Sequence, residues 1–131
     1  MCIRDRHNLS QGIRLIESDL FEALSSNDSF HVIVSNPPYI GTREKALLSR
    51  EVVDFQPNIP LISGEDGRNC SLDILRGAPT YLVPGGWLVM ESSPFIIDQL
   101  AAEIEQSDEY CSPVIERDLA GHKRILSAQK A

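Results

Sequence analysis

Phe30-His31-Val32-Ile33-Val34-Ser35-Asn36-Pro37-Pro38-Tyr39 is the stretch on which the reading of the fold turns. Its first six residues hold a nearly unbroken apolar run rich in β-branched side chains, which predicts a strand of a parallel sheet buried on both faces. Asn36-Pro37-Pro38-Tyr39 then ends the strand abruptly. Two consecutive prolines fix two φ angles and remove two N–H donors. The corner is therefore stiff and offers carbonyl oxygens rather than amides. Asn36, placed ahead of a proline, is driven to extended backbone, and its side chain contributes a further acceptor oxygen. Tyr39 adds an aromatic face. In open α/β sheets ligands bind beyond the carboxyl ends of the strands, and this corner lies at such an end.

Working outward, residues 13–18 carry Ile13, Leu15 and Ile16 and read as a second strand, with Asp19 just past its end. Glu22-Ala23-Leu24 suits a short helical turn, and residues 25–29 form a polar loop. Downstream, residues 44–53 can hold a helical stretch. Gln56-Pro57 and Ile59-Pro60 break regularity, and Ser63-Gly64-Glu65-Asp66-Gly67 is turn chemistry. Leu72, Leu75 and Ala78 recur at helical spacing and predict a helix over 69–81, which Pro79 is expected to kink or shorten. Pro84-Gly85-Gly86 reads as a turn before a strand at 87–91. A helix is expected over 94–106, with Ser93 as its cap. Residues 114–118 and 123–127 read as two closing strands joined at Ala120-Gly121. The order β, β, α, β, α, β, β implies an α/β fold with a mostly parallel sheet and one antiparallel terminal strand.

The chain has 131 residues, one ordinary domain or a piece of one. It is 42% hydrophobic and 24% charged, as in a soluble globular protein. No apolar run approaches the ~18–20 residues that span a bilayer, and no secretory signal is visible. No membrane association and a cytoplasmic location are therefore expected. The net charge of −7, without a Lys/Arg cluster, argues against direct nucleic-acid binding. Cys2, Cys70 and Cys111 show no CxxC spacing, and His7, His31 and His122 are scattered, so no metal site is expected.

The corner suits a planar NH₂ group. The Asn36 side-chain oxygen and the Pro37 carbonyl can each accept one of its N–H bonds, while Tyr39 stacks on its flat face. An amide nitrogen is a poor nucleophile because resonance delocalises its lone pair. Acceptors on both N–H bonds localise charge on nitrogen as a new bond forms and aim the lone pair at an electrophile. That is catalysis by positioning and electrostatics, without a covalent enzyme intermediate.

Several stretches together resemble one family. They are Glu17-Ser18-Asp19-Leu20-Phe21, residues 33–40 around the diproline, Val53-Asp54-Phe55-Gln56-Pro57, the Gly64-Glu65-Asp66-Gly67 turn, residues 82–91, and Asp118-Leu119-Ala120-Gly121-His122-Lys123-Arg124. They resemble the class I methyltransferases with an Asn-Pro-Pro-Tyr motif and, within these, the release-factor glutamine methyltransferases of the HemK/PrmC family. The resemblance implies S-adenosylmethionine as methyl donor, no metal, and peptide-chain release factors as partners, methylated on the glutamine of their Gly-Gly-Gln motif. It implies that Asn36, Pro37 and Tyr39 are catalytic and that Asn36, Pro37, Pro38 and Tyr39 bind the substrate amide. It places Asp19, Leu20, Phe21 and Asn36 at the cofactor, and Glu91 at the rim of the same face.

The family's Gly-rich loop, the acidic residue for the cofactor ribose and the helical N-terminal domain have no counterpart in these residues. Gln56 stands where the family usually has Glu, and Glu91-Ser92-Ser93 replaces a Glu-hydrophobic-Gly pattern. Residues 8–131 are accordingly expected to be the C-terminal portion of the domain, a partial Rossmann-like fold with its first two strands missing. Residues 1–7 are expected to be foreign to it or disordered. The missing strands would lie between 13–18 and Phe30–Ser35, which would leave the latter an exposed apolar edge, and the chain alone is expected to be inactive. Two other readings stand beside this one: an adenine-N6 or other nucleic-acid methyltransferase using the same tetrad, and a non-catalytic truncated relic.

Overall fold

The computed structural model describes residue 6, residues 11–38 and residues 69–131. Tyr39, the helical stretch expected over 44–53, the Gly-Glu-Asp-Gly turn and all of residues 1–7 except Arg6 lie outside the described residues.

The described elements are strand β1 (Phe30–Ser35), helix α1 (Asn69–Tyr81), strand β2 (Leu82–Glu91), helix α2 (Ile97–Glu105), strand β3 (Val114–Arg117) and strand β4 (Lys123–Gln129). They form a four-stranded sheet in the order β1-β2-β4-β3. β1 and β2 are parallel, with α1 between them in sequence. β4 pairs antiparallel with both β2 and β3. This is the α/β architecture expected, with the antiparallel return supplied by β4 slotting between β2 and β3.

The core lies between one face of this sheet and the two helices. Leu72, Ile74, Leu75 and Ala78 of α1, Ile97, Leu100 and Ile104 of α2, Leu88 and Met90 of β2, and Leu126 and Ala128 of β4 are buried together. Alternation along β2 explains the division: Leu88 and Met90 point to the helices, and Trp87 points away and is exposed. β1 follows the same rule and corrects the expectation of burial on both faces. Ile33 packs against the core, whereas Val32 and Val34 are 53% and 75% exposed on the opposite face. β1 is also the sheet's edge among the described residues.

Three further expectations change. Residues 13–18 form no strand. Ile13, Leu15 and Ile16 are exposed, so their apolar side chains gain no burial from a sheet. Pro84-Gly85-Gly86 does not precede the strand but sits inside it as a bulge: the β1–β2 pairing jumps from Phe30 with Leu82 to Val32 with Trp87. Gly85 takes a φ of 76°, and a side chain at Gly86 would meet the carbonyl oxygens of Val83 and His31 at 2.9 and 3.0 Å. Only glycine fits this crowded crossing. Finally, Ser93 does not cap α2 directly. Its Oγ accepts from the Phe95 amide and its carbonyl accepts from Ile96 and Ile97, which builds the turn that leads into the helix.

Pro79 neither breaks nor shortens α1, which continues to Tyr81. A proline at 79 cannot donate to the carbonyl of Leu75, its i−4 partner. The buried Tyr110 hydroxyl donates to that carbonyl instead, at 2.7 Å. The end of α1 is satisfied from a distance too. Lys130 Nζ donates to the carbonyls of Pro79 and Leu82 at 2.7 and 2.9 Å, placing a cation where the helix dipole is negative.

Candidate active site

The diproline corner follows β1 directly. Asn36 is exposed, Pro37 is buried and Pro38 is half-buried. Burial of Pro37 anchors the corner, and the exposed Asn36 side chain stays available to a ligand. Because Ser35 pairs with Met90, Asn36 begins level with Glu91, the last residue of β2. Glu91 thus stands at the carboxyl end of the sheet beside the corner, where the sequence places it. The structure leaves the position of Tyr39 undescribed.

Asp19, Leu20 and Phe21 lie together at a second corner, packed against α1. The Ser18 hydroxyl accepts from the Ala23 amide at 2.9 Å. The Glu22 amide donates to the Asp19 carbonyl and the Leu24 amide to the Phe21 carbonyl, at 3.0 and 2.9 Å. These bonds wind residues 18–24 into a tight turn. Within it Leu20 takes a φ of 46°, the sole positive φ at a non-glycine among the described residues. For an L-residue that conformation costs roughly 1–2 kcal/mol. Leu20 recovers little of it by burial, since it remains 41% exposed.

The three residues play different parts. Phe21 turns inward: its ring stacks on Tyr81 with centroids 5.2 Å apart and planes 18° from parallel, and it packs against the core. Asp19 and Leu20 face an open cleft of about 570 Å³, lined also by Phe21, Glu22, Asp73, Gly77, Thr80 and Tyr81. Asn36, Pro37 and Pro38 are not part of that lining. α1 feeds straight into the first residue of β2, so its N-terminal turn points toward the carboxyl ends of the strands. Asp19 is near enough to that turn to act on Cys70. Burial chiefly, then the charges of Asp73 and Asp19, push the Cys70 thiol above its ordinary value, which keeps it protonated and unreactive.

The cleft can be tested against the methyl donor that the sequence implies. Its size falls within the ~300–1,000 Å³ of small-molecule sites. It offers the exposed aliphatic face of Leu20 to a flat base and the carboxylates of Asp19, Glu22 and Asp73 to a cationic ligand. The donor set suits a sulfonium-bearing nucleoside. Gly77, Tyr81, Asp73 and Thr80 escaped the sequence reading. A glycine in the middle of an amphipathic helix was the available signal, because it marks a close approach by another group. No cluster of acidic, histidine and cysteine side chains able to hold a metal occurs among the described residues. No helix among them is long and apolar enough to cross a membrane.

No family model matches the chain. Known proteins do. The release factor glutamine methyltransferase of Rhodopirellula baltica is 42% identical over 123 residues, which is 94% of this chain and 42% of that protein. A release factor glutamine methyltransferase of Geobacter sulfurreducens is 44% identical over 60% of this chain and 28% of its own length. A bifunctional methyltransferase of Rickettsia felis is 35% identical over 92% of this chain and 23% of its own length. The chain thus spans less than half the length of these relatives. Over the residues compared it is similar to the release factor glutamine methyltransferases, the family its motifs resemble.

Proposed function

We propose that the protein to which this chain belongs transfers a methyl group from S-adenosylmethionine to the side-chain amide nitrogen of the glutamine in a release factor's Gly-Gly-Gln motif, in the cytoplasm. The observation that supports this best is the corner after β1, where a buried Pro37 fixes the backbone and leaves Asn36 exposed at the carboxyl end of the sheet. Asn36 Oδ1 and the Pro37 carbonyl accept the two N–H bonds of the amide. Pro38 stiffens the turn, and Tyr39 packs on the amide plane. Asp19 and Leu20 hold the nucleoside end of the methyl donor, with Leu20 against the base. When bound, S-adenosylmethionine supplies an electrophilic methyl on its sulfonium. The residues of the corner orient the nitrogen toward it and stabilise the charge that develops there.

The reading is tested in the protein expressed from the whole reading frame, with transfer of labelled methyl to a release factor as the readout. Asn36→Ala is expected to lower kcat by about 10²–10³, as does loss of one preorganised polar group at a reacting centre. A fall of less than about threefold would sink it. Transfer to an adenine-containing oligonucleotide in place of the release factor would favour the nucleic-acid reading.

A further inference from the structure

The strained Leu20 needs something to hold it, and its own side chain is mostly in water. The turn's hydrogen bonds define the backbone path, but all of them lie within residues 18–24 and carry no information about where the turn sits. Phe21 is what ties it to the body of the protein. Its ring lies over Gly77 in the middle of α1 so closely that a side chain there would meet Cδ2 and Cε2 at 2.7 and 2.8 Å. Tyr81, one helical turn further along, stacks on the same ring. Helix interiors disfavour glycine, yet here the missing Cβ is the seat of a neighbouring aromatic ring. A sparsely populated backbone persists only where its surroundings over-determine it, and such sites gather at ligand clamps.

We propose that Gly77, Phe21 and Tyr81 are positioning residues for the methyl donor: by clamping the ring of Phe21 on α1 they hold the Asp19–Leu20 turn in its left-handed, ligand-ready form. This rests on the reading of the cleft given above and adds a clamping role to Phe21, which also lines the cleft together with Gly77 and Tyr81. Their clamping effect passes through the backbone of the preceding residue, Leu20, so it acts on donor binding and not on the chemical step.

The test is Gly77→Ala in the protein expressed from the whole reading frame, with calorimetric binding of S-adenosylmethionine and steady-state kinetics as readouts. Binding is expected to weaken about tenfold and the KM for the donor to rise in step, with kcat within about twofold of the unsubstituted value. Exchange of the Ala23 and Leu24 amides should quicken. Tyr81→Leu, which removes the stacked ring and leaves Gly77 unchanged, should weaken binding in the same direction. Alanine favours a helix, so the melting temperature should not fall in parallel with affinity. Unchanged donor binding in Gly77→Ala would overturn this inference alone. Losses of binding and kcat that track a fall in melting temperature would also overturn it, by showing a merely structural role. Absence of binding in the unsubstituted protein would overturn the methyl-donor reading, and this inference with it.

Discussion

Proline at 79 leaves the Leu75 carbonyl without its helical partner, and the Tyr110 hydroxyl, 35 residues away in sequence, supplies the missing bond. Tyr110→Phe should therefore lower stability by about 1–2 kcal/mol, the value of a buried hydrogen bond whose acceptor is left unsatisfied. Urea unfolding would show a lower midpoint at unchanged slope. Restoring the N–H with Pro79→Ala should remove most of that loss, so a double-mutant cycle gives a coupling energy clearly different from zero. An equal loss in both backgrounds would contradict the pairing. The same residue fixes a pH dependence. Burial first, then the Glu109 charge, raise the Tyr110 phenol above its ordinary value of 10.0. The neutral phenol is the form that donates to Leu75. Its contribution is fully present below pH 10.0 and is lost as pH rises past that value through the raised folded one. Tyr110→Phe should flatten that alkaline limb.

At the scale of elements, the β3–β4 hairpin depends on Asp118. Its Oδ1 accepts from the amides of His122 and Ala120 at 2.9 and 3.0 Å, and its Oδ2 faces Arg124. The His122 amide chiefly, with the Ala120 amide and Arg124 behind it, outweigh partial desolvation and hold the carboxyl below its ordinary value of 3.8. A depressed folded value means that this support is present above pH 3.8 and is lost as pH falls through the folded value. Protection of the β3 and β4 amides, with exchange corrected for its intrinsic pH dependence, should fall on going from pH 5 to pH 3, and Asp118→Asn should remove most of that change.

The Asp-Leu-Ala-Gly segment that marked the family in sequence thus has a mechanical reason: it is the hairpin's turn. Helices and strands whose apolar spacing matched their burial were legible in advance, including α1 through Leu72, Leu75 and Ala78. What escaped was set by partners remote in sequence. Residues 13–18 have strand-like side chains and no ladder. Pro84-Gly85-Gly86 looks like a turn but is a bulge because Lys130 and Gln129 bind Gly85 and Gly86. Of the candidate site, the stiffness of the diproline corner was legible from local chemistry, whereas Asp19 and Leu20 were singled out only through the family resemblance. The seat of Phe21 on Gly77 was not legible, since it joins segments more than fifty residues apart.

At the scale of the molecule, the described residues divide the sheet into a helix-covered face and an open one. Val32, Val34 and Trp87 are exposed on the open face, and β1 forms the edge beside them among the described residues. An uncharged apolar edge invites pairing with other chains. The 131-residue chain is expected to associate as its concentration rises, and Val34→Lys should suppress this by adding charge where burial contributes nothing. Light scattering over a dilution series checks it. Equal association of both chains would mean that this strand is not the contact.

The tail acts as a strap across the molecule. The Lys130 amide donates to Gly86, its carbonyl accepts from Gly85, its Nζ holds the end of α1, and the Ala131 amide donates to Glu109. Carboxypeptidase trimming inward from Ala131 would have to unlace the bulge and the helix terminus together to pass Lys130. Resistance to such trimming therefore reports on the integrity of the core, and mass spectrometry of a timed digest should show the folded chain stalled within a residue of its end.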